Sequence, residues 1–330
     1  MKTLYISQQG CYVCLEKDLL LIKKNKQILN QIQIPLLEQV LIFGKSQITT
    51  QAIRACLFKN IPIVYLSRMG YCYGRTIALE RGYRQLSRYQ QQVELYHKLL
   101  VARAIIKGKL NNSKIILQRQ LRRKPNLDLQ DAINTLNYLQ EKVDKAEYIE
   151  KIMGYEGAGA VTYFSAFGQC LTNPDFIFYS RSRRPPANPI NALLSFGYQV
   201  LWNHLLALIE LQGLDPYYAC LHQNNERHAT LASDLIEEFR AGIVDSLVLY
   251  LVNKNIINAQ ENFIFRDGGC FLNDSGRKKY LQAFVTRMEE IITNEKGEKE
   301  PRWDLLMQQI IKIKQFFYSP ITGYQPYLLR

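Results

Sequence analysis

The chain has 330 residues, 47% of them hydrophobic, with 42 Lys and Arg against 29 Asp and Glu, a formal net charge of +13. That apolar content excludes a disordered chain, and the length supports a large core and a division into two domains. The cationic excess favours a polyanionic partner, and nucleic acid ranks ahead of an acidic membrane because no basic amphipathic helix with a clean apolar face dominates.

No apolar run is expected to reach the length of a membrane span. The first residues lack a signal peptide's apolar segment and cleavage site, so the cytoplasm is the expected compartment. Seven cysteines, an odd number, argue against a disulfide framework. Cys11 and Cys14 form a C-x-x-C, but in an aromatic and β-branched stretch that reads as strand. Positions three apart on a strand point to opposite faces, and no second pair follows at zinc-ribbon spacing.

Residues 1–82 read as a small β-rich domain. Short apolar or alternating runs at 3–7, 11–18, 19–24, 28–34, 40–43, 61–66 and 71–78 are punctuated by Gly10, Asn25, Pro35, Gly44 and Gly70. One helix, 49–59, interrupts them, with Ser46 or Thr49 as its cap and Pro62 beyond its end. The region has no histidine and only scattered acidic residues.

Beyond residue 82 the pattern turns helical. Arg84, Arg88, Lys98, Arg103, Lys107, Lys109 and Lys114 belong to a basic run that continues to Lys124. Such a run can track a phosphate backbone without reading sequence, although for any single member an ordinary solvated residue is the better reading. Residues 126–148 read as a mixed-charge amphipathic helix. In the next helical stretch Glu156 stands among Gly154, Gly157, Ala158, Gly159 and Ala160. Each helical glycine costs about 1 kcal/mol relative to alanine. The small residues therefore serve either close helix packing or room for a metal and a phosphodiester beside Glu156. Burying that carboxylate unpaired would be costly, which favours function.

Residues 181–191 form a basic loop stiffened by Pro185, Pro186 and Pro189. A strongly apolar helix follows over 191–212, with His204 as a packing residue. Over 218–245, His222 sits in a short polar loop ahead of a helix whose Leu231, Leu235, Phe239, Ile243 and Leu247 recur every four residues. Asp234 and Glu237 fall off that stripe, on one side of the helix. A histidine ahead of two carboxylates is an oxygen-and-nitrogen set suited to a divalent metal. The plain alternative makes Asp234, Glu237 and Glu238 surface charges, with Glu237 paired to Arg240 for about 0.2–0.5 kcal/mol. Arg227 and His228 read as structural or solvated. No H-E-x-x-H occurs, which disfavours a metalloprotease. Residues 263–272 read as a hairpin and 277–279 as the opening of a helix. The reading then gives a polar loop over 293–301, a last helix over 302–317, and an irregular or partner-docked tail.

Four motifs occur in a fixed order: Gly154-Tyr155-Glu156-Gly157; Arg183-Arg184-Pro185-Pro186 with Asn188-Pro189-Ile190-Asn191-Ala192-Leu193-Leu194-Ser195; Gly213-Leu214-Asp215-Pro216 with Leu221-His222; and Ser233-Asp234-Leu235-Ile236-Glu237-Glu238-Phe239-Arg240. Together they resemble the CRISPR adaptation endonuclease and integrase family, the CRISPR-associated protein one family, over essentially the whole chain. The resemblance implies an α+β protein. A β-rich N-terminal dimerisation domain (1–82) would precede an all-α catalytic, metal- and DNA-binding domain (83–330). It implies Mg²⁺ or Mn²⁺ held by Glu156, His222 and Glu237, with Asp234 a neighbouring catalytic carboxylate. Arg84, Arg88, Arg183, Arg184 and Arg240 become the candidate DNA contacts. The partners it implies are double-stranded DNA, a second copy of the chain, and a central dimer of the second adaptation protein. The sequence departs from the family at Gln223, where glycine is common, at Glu237, where aspartate is frequent, and at Ala241, where proline is frequent. None of these removes a ligand. A catalytically inactive DNA-binding scaffold is the competing reading.

Overall fold

The computed structural model describes residues 3–67, 72–78, 83–223, 228–293 and 297–329, without the side chains of Tyr83 and Arg84. The N-terminal region holds β1 (Thr3–Ile6), β2 (Tyr12–Glu16), β3 (Leu19–Lys24), β4 (Gln27–Gln33), β5 (Gln39–Phe43), β6 (Gln47–Ile48), α1 (Thr50–Phe58), β7 (Ile63–Leu66) and β8 (Cys72–Thr76). They form two four-stranded sheets, ordered β1-β5-β7-β8 and β4-β3-β2-β6. Asn25 and Lys26, both at positive φ, make the two-residue turn between β3 and β4, where the primed turn matches the strands' twist. Thr49 caps α1, its Oγ1 accepting from the Ala52 amide at 3.2 Å.

The strand β5 shows how this region joins the rest. All five of its residues are buried, because its two faces serve two different cores. Val40 and Ile42 pack with Leu4, Val13, Leu20 and Ile63 in a core confined to the N-terminal region. Leu41 and Phe43, with Val64 and Leu66 of β7, pack into the core of the helices. A strand with both faces covered reads as a continuous apolar run. His204 reinforces the junction from the helical side: it is fully buried, accepts from or donates to Tyr5 Oη at 2.6 Å, and also bonds Gln39 Nε2. It is the packing residue that the sequence suggested.

The remainder contains α2 (Tyr83–Gln92), α3 (Leu95–Arg123), α4 (Gln130–Asp144), α5 (Ile149–Gln169), α6 (Pro189–Leu211), α7 (Thr230–Phe239) and α8 (Ser246–Asn253), with a π-helical turn, Arg240–Asp245, joining the last two. Next come β9 (Phe263–Arg266), β10 (Gly269–Leu272), α9 (Asp274–Glu289), β11 (Ile291–Thr293), β12 (Lys299–Pro301) and α10 (Trp303–Tyr318). The α+β class holds, but an all-α second part is too strict. The expected hairpin over 263–272 is present, and a second ribbon pairs Ile291–Thr293 with Lys299–Pro301, where the sequence suggested only a loop.

Two further expectations need correction. The helix α6 is itself long and apolar enough to cross a membrane, and 83% of its most apolar window is buried inside the protein. It is the central core helix here, a case in which length and hydropathy alone do not discriminate. The tail is irregular as expected, yet it docks on its own chain. Asn112 on α3 donates to the Tyr327 carbonyl and accepts from the Leu329 amide, both at 2.8 Å. The tail passes so close to α3 that a Cβ on Gly108 would lie 2.9 Å from Pro326 Cβ.

Candidate active site

The glycine-rich segment of α5 resolves into two uses. A Cβ at Gly159 would lie 2.3 Å from Leu110 Cδ2, so this glycine lets α5 press against α3. A Cβ at Gly154 or Gly157 would meet nothing within 4 Å, which leaves the flank of Glu156 open. Close packing and open space are thus both present, at different glycines. Glu156 lies almost one turn before Gly159, and Lys109 is the residue before Leu110. The contact that Gly159 permits therefore brings the Glu156 carboxylate onto the Lys109 ammonium.

The helix α7 brings in the other wall. Every one of its residues is buried, so its carboxylates are not surface charges. Asp234, with no exposed surface, accepts from the amides of Cys220 and Leu221 at 2.8 Å and of His222 at 3.0 Å. It also lies 2.8 Å from His222 Nδ1. One carboxylate therefore fixes both the loop and the ring. With Nδ1 donating to Asp234, Nε2 keeps its lone pair for a ligand, the arrangement that orients metal-binding histidines. Burial would lower the proton affinity of His222, but the Asp234 hydrogen bond and charge outweigh it and raise the pKa.

One turn along, Glu237 Oε2 lies 2.6 Å from Lys109 Nζ and 3.0 Å from Arg240 Nε. The pairing of Glu237 with Arg240 foreseen by the plain alternative is real, but it is buried and shared. Burial alone would raise the Glu237 pKa; the charges of Arg240, Lys109 and His222 overcome it and hold the carboxyl down at about 2. Glu156 and Glu237, from helices far apart in sequence, thus share one ammonium, with His222 close enough to act on Glu237 electrostatically.

Two carboxylates converging on one cation, with an imidazole nitrogen beside them, fit a hard divalent ion by the chemistry of the donor set. Among the described residues no three His, Cys, Asp or Glu side chains are already closed on a single point. The cation between the carboxylates is Lys109. Asp234 stands behind the histidine with its oxygens spent on the loop, so its placement is that of a positioning residue.

The candidate DNA contacts separate. Arg88 on α2 is exposed, as are Arg183 and Arg184 in the loop before α6. The Arg84 side chain and Arg227 lie outside the described residues. Arg240 is placed differently from an exposed phosphate contact: it faces inward, bonded to Glu237 and 4.4 Å over the Tyr198 ring. His228 stacks on Trp202 at 5.5 Å and lies 2.8 Å from Ser233 Oγ, the structural role expected of it.

The sequence reading missed the role of Lys109, which it counted only within the basic run. A signal was present. Ala102, Ile106, Lys109, Ser113 and Ile116 recur at helical spacing on the inward face of α3, so a lysine occupies a core position. It also missed the Asn191 latch. This side chain accepts from the Ser182 amide and from Arg181 at 2.9 Å and donates to the Ser180 carbonyl, holding the arginine loop against α6.

Comparison with known proteins identifies the family. The family described as "CRISPR associated protein Cas1" matches residues 4–286. CRISPR-associated endonuclease Cas1 1 of Chlorobaculum tepidum is 30% identical, with all of this chain and 99% of that protein covered. A Cas4/Cas1 exonuclease–endonuclease fusion of Geobacter sulfurreducens is 33% identical over 88% of this chain; the chain spans 54% of the fusion. Among solved structures, a chain of a Cas6-RT-Cas1–Cas2 complex superposes with a TM-score of 0.83 at 25% identity, covering all of this chain and 36% of that one. A casposase bound to integration product superposes with a TM-score of 0.84 at 22% identity, covering 98% and 93%. This chain, with its strand-rich start and its helical body, belongs to the CRISPR-associated Cas1 family.

Proposed function

We propose that this protein is a Mg²⁺- or Mn²⁺-dependent DNA endonuclease and integrase of CRISPR adaptation, joining protospacer 3′-hydroxyl ends into the CRISPR array by transesterification. The observation that carries the reading is the convergence of Glu156 and Glu237 on one cation beside the Asp234-oriented imidazole of His222. In this reading Glu156, His222 and Glu237 hold the ion, Asp234 sets the ring and its tautomer, and Arg240 fixes the Glu237 carboxylate. When bound, the ion would polarise the phosphodiester and stabilise charge on the attacking and leaving oxygens. A DNA 3′-hydroxyl positioned there gives strand transfer, and water in its place gives hydrolysis.

The exposed Arg88, Arg183 and Arg184 would position double-stranded DNA through its phosphates, without reading sequence. In this reading two copies of the chain, joined by their strand-rich regions, flank a central Cas2 dimer; the similarity to a chain of a Cas6-RT-Cas1–Cas2 complex supports Cas2 as a partner. We place the activity in the cytoplasm, with no membrane partner, and treat 1–82 and 83–330 as its two domains, although β5 and β7 serve both cores.

One observation favours an inactive DNA-binding scaffold instead: Lys109 and Arg240 already neutralise the two carboxylates. Glu156→Ala separates the readings. With cognate Cas2 and branched or supercoiled DNA, the variant should bind DNA as the wild type does and lose Mn²⁺-dependent cleavage and integration. Undiminished activity, or a wild type indifferent to EDTA, would rule out the catalytic reading.

A further inference from the structure

We infer that Lys109 is a resident counter-ion of this site: it holds the Glu156 and Glu237 carboxylates together before metal arrives and competes with the metal for them. The inference rests on the metal-site reading above and adds a competitor to it.

The ammonium is not a peripheral surface charge. Its side chain is 12% exposed, and it bridges a carboxylate from α5 to one from α7. Two carboxylates forced together without a cation would repel strongly, because partial burial removes the solvent screening that tolerates like charges at the surface. Lys109 removes that repulsion and so fixes the spacing of the donors.

The same bridge sets up a competition. Glu156 and Glu237 carry two negative charges, and Lys109 and Arg240 supply two positive ones. With Asp234 counted and His222 neutral, the site carries one net negative charge before any metal enters. A divalent ion added to it would leave one uncompensated positive charge in a partly desolvated cleft. Two events relieve that excess: the ammonium withdraws from the carboxylates, and a DNA phosphate enters. Metal and DNA therefore bind with positive coupling, each making the other's charge easier to accommodate. In the absence of DNA, Lys109 keeps metal affinity low. The released ammonium stays tethered to α3 beside the cleft.

Position along α3 agrees with this role. Lys109 lies in the inward stripe of α3 that runs through Ala102, Ile106 and Ser113. It is seated by Gly159, whose missing Cβ brings α5 within reach of its amine.

The test is Mn²⁺ binding by calorimetry on full-length protein without DNA, for wild type, K109M, K109Q and K109R. Removing one charge at contact distance should tighten Mn²⁺ binding in K109M by about ten-fold or more. K109R, which keeps the charge, should stay near wild type. If K109M fails to fold, K109Q answers the same question, since its amide can still bridge the carboxylates without competing as a cation. The Mn²⁺-induced rise in melting temperature should likewise be larger in K109M and K109Q than in wild type. Equal or weaker Mn²⁺ binding by the neutral variants would overturn the inference while leaving the metal site intact, provided that wild type binds Mn²⁺ and E237Q does not. Absence of Mn²⁺ binding in wild type, with and without DNA, would instead overturn the metal-site reading and the inference with it.

Discussion

Glu237 and Glu238 are neighbours on one buried helix, yet they end up as opposite kinds of carboxylate. Glu237 turns to the site, where Arg240 and Lys109 hold its pKa down at about 2 despite burial. Glu238 turns to the tail, where it meets neutral donors: Tyr324 Oη at 2.5 Å, the Tyr327 amide at 2.7 Å and Gln309 Nε2 at 2.9 Å. Burial outweighs those hydrogen bonds and raises its pKa to about 7. Identical side chains in adjacent positions are thus separated by the charges they face. Fixed cations in contact keep one ionised, while neutral donors, with Lys312 only a minor charge, make the other a clamp that ties the tail to the back of α7.

The contrast is broken most severely at the site itself. Glu156→Gln should lower metal-dependent DNA cleavage by about a hundred- to a thousand-fold, the scale of losing one transition-state partner. Glu238→Gln should act chiefly on stability and leave measurable cleavage. Parallel activity assays and thermal melts of the two variants check this, and equal activity losses would dissolve the distinction.

Asp234→Asn should cost about ten- to a hundred-fold in metal affinity or activity, as expected for a group that orients a ligand. The amide cannot accept from three backbone N–H groups and the imidazole as the carboxylate does. The loss should appear in Mn²⁺ titrations, and unchanged affinity would remove Asp234 from its positioning role.

On the tail side, Tyr324→Phe should destabilise the fold by about 1–3 kcal/mol, the range for a hydrogen bond to a charged or buried acceptor. Urea unfolding measures it, and a neutral result would mean that the tail is not clamped. The pH dependence differs in sign between the two carboxylates. Glu238 is raised from its ordinary 4.5 to about 7, so its contribution is present below 4.5 and lost as pH rises through 7. The slope over that window is about 1 kcal/mol per pH unit. Glu237 is depressed, so its contribution is present above 4.5 and lost as pH falls towards 2. Stability measured from pH 5 to 8 should therefore decline in wild type and decline less steeply in Glu238→Gln, where Asp245, raised by burial to about 6, still contributes to the slope.

Much of this site could be read from the sequence, for identifiable reasons. Helical spacing groups Asp234 with Glu237, and closeness in the chain adds His222 from the loop before them. Glu156 stood out because a carboxylate among glycines needs a partner, but only the family resemblance joined it to the others. Lys109 was hidden by its setting, since a core lysine in a basic helix looks like one more phosphate contact until the partner helices are placed. The tail was equally opaque: Gly108 and Asn112 show their purpose only once Pro326 and Leu329 lie against them. The two-faced role of β5 follows from its unbroken apolar run, whereas the pairing of Ile291–Thr293 with Lys299–Pro301 had no comparable signal.

The most direct test of the central claim is anomalous diffraction from crystals of the protein bound to DNA and soaked in Mn²⁺. The account predicts a single strong peak bonded to Glu156, Glu237 and His222 Nε2, with the Lys109 ammonium moved off the two carboxylates. A peak elsewhere, or no peak with Lys109 still bridging Glu156 and Glu237, would contradict it.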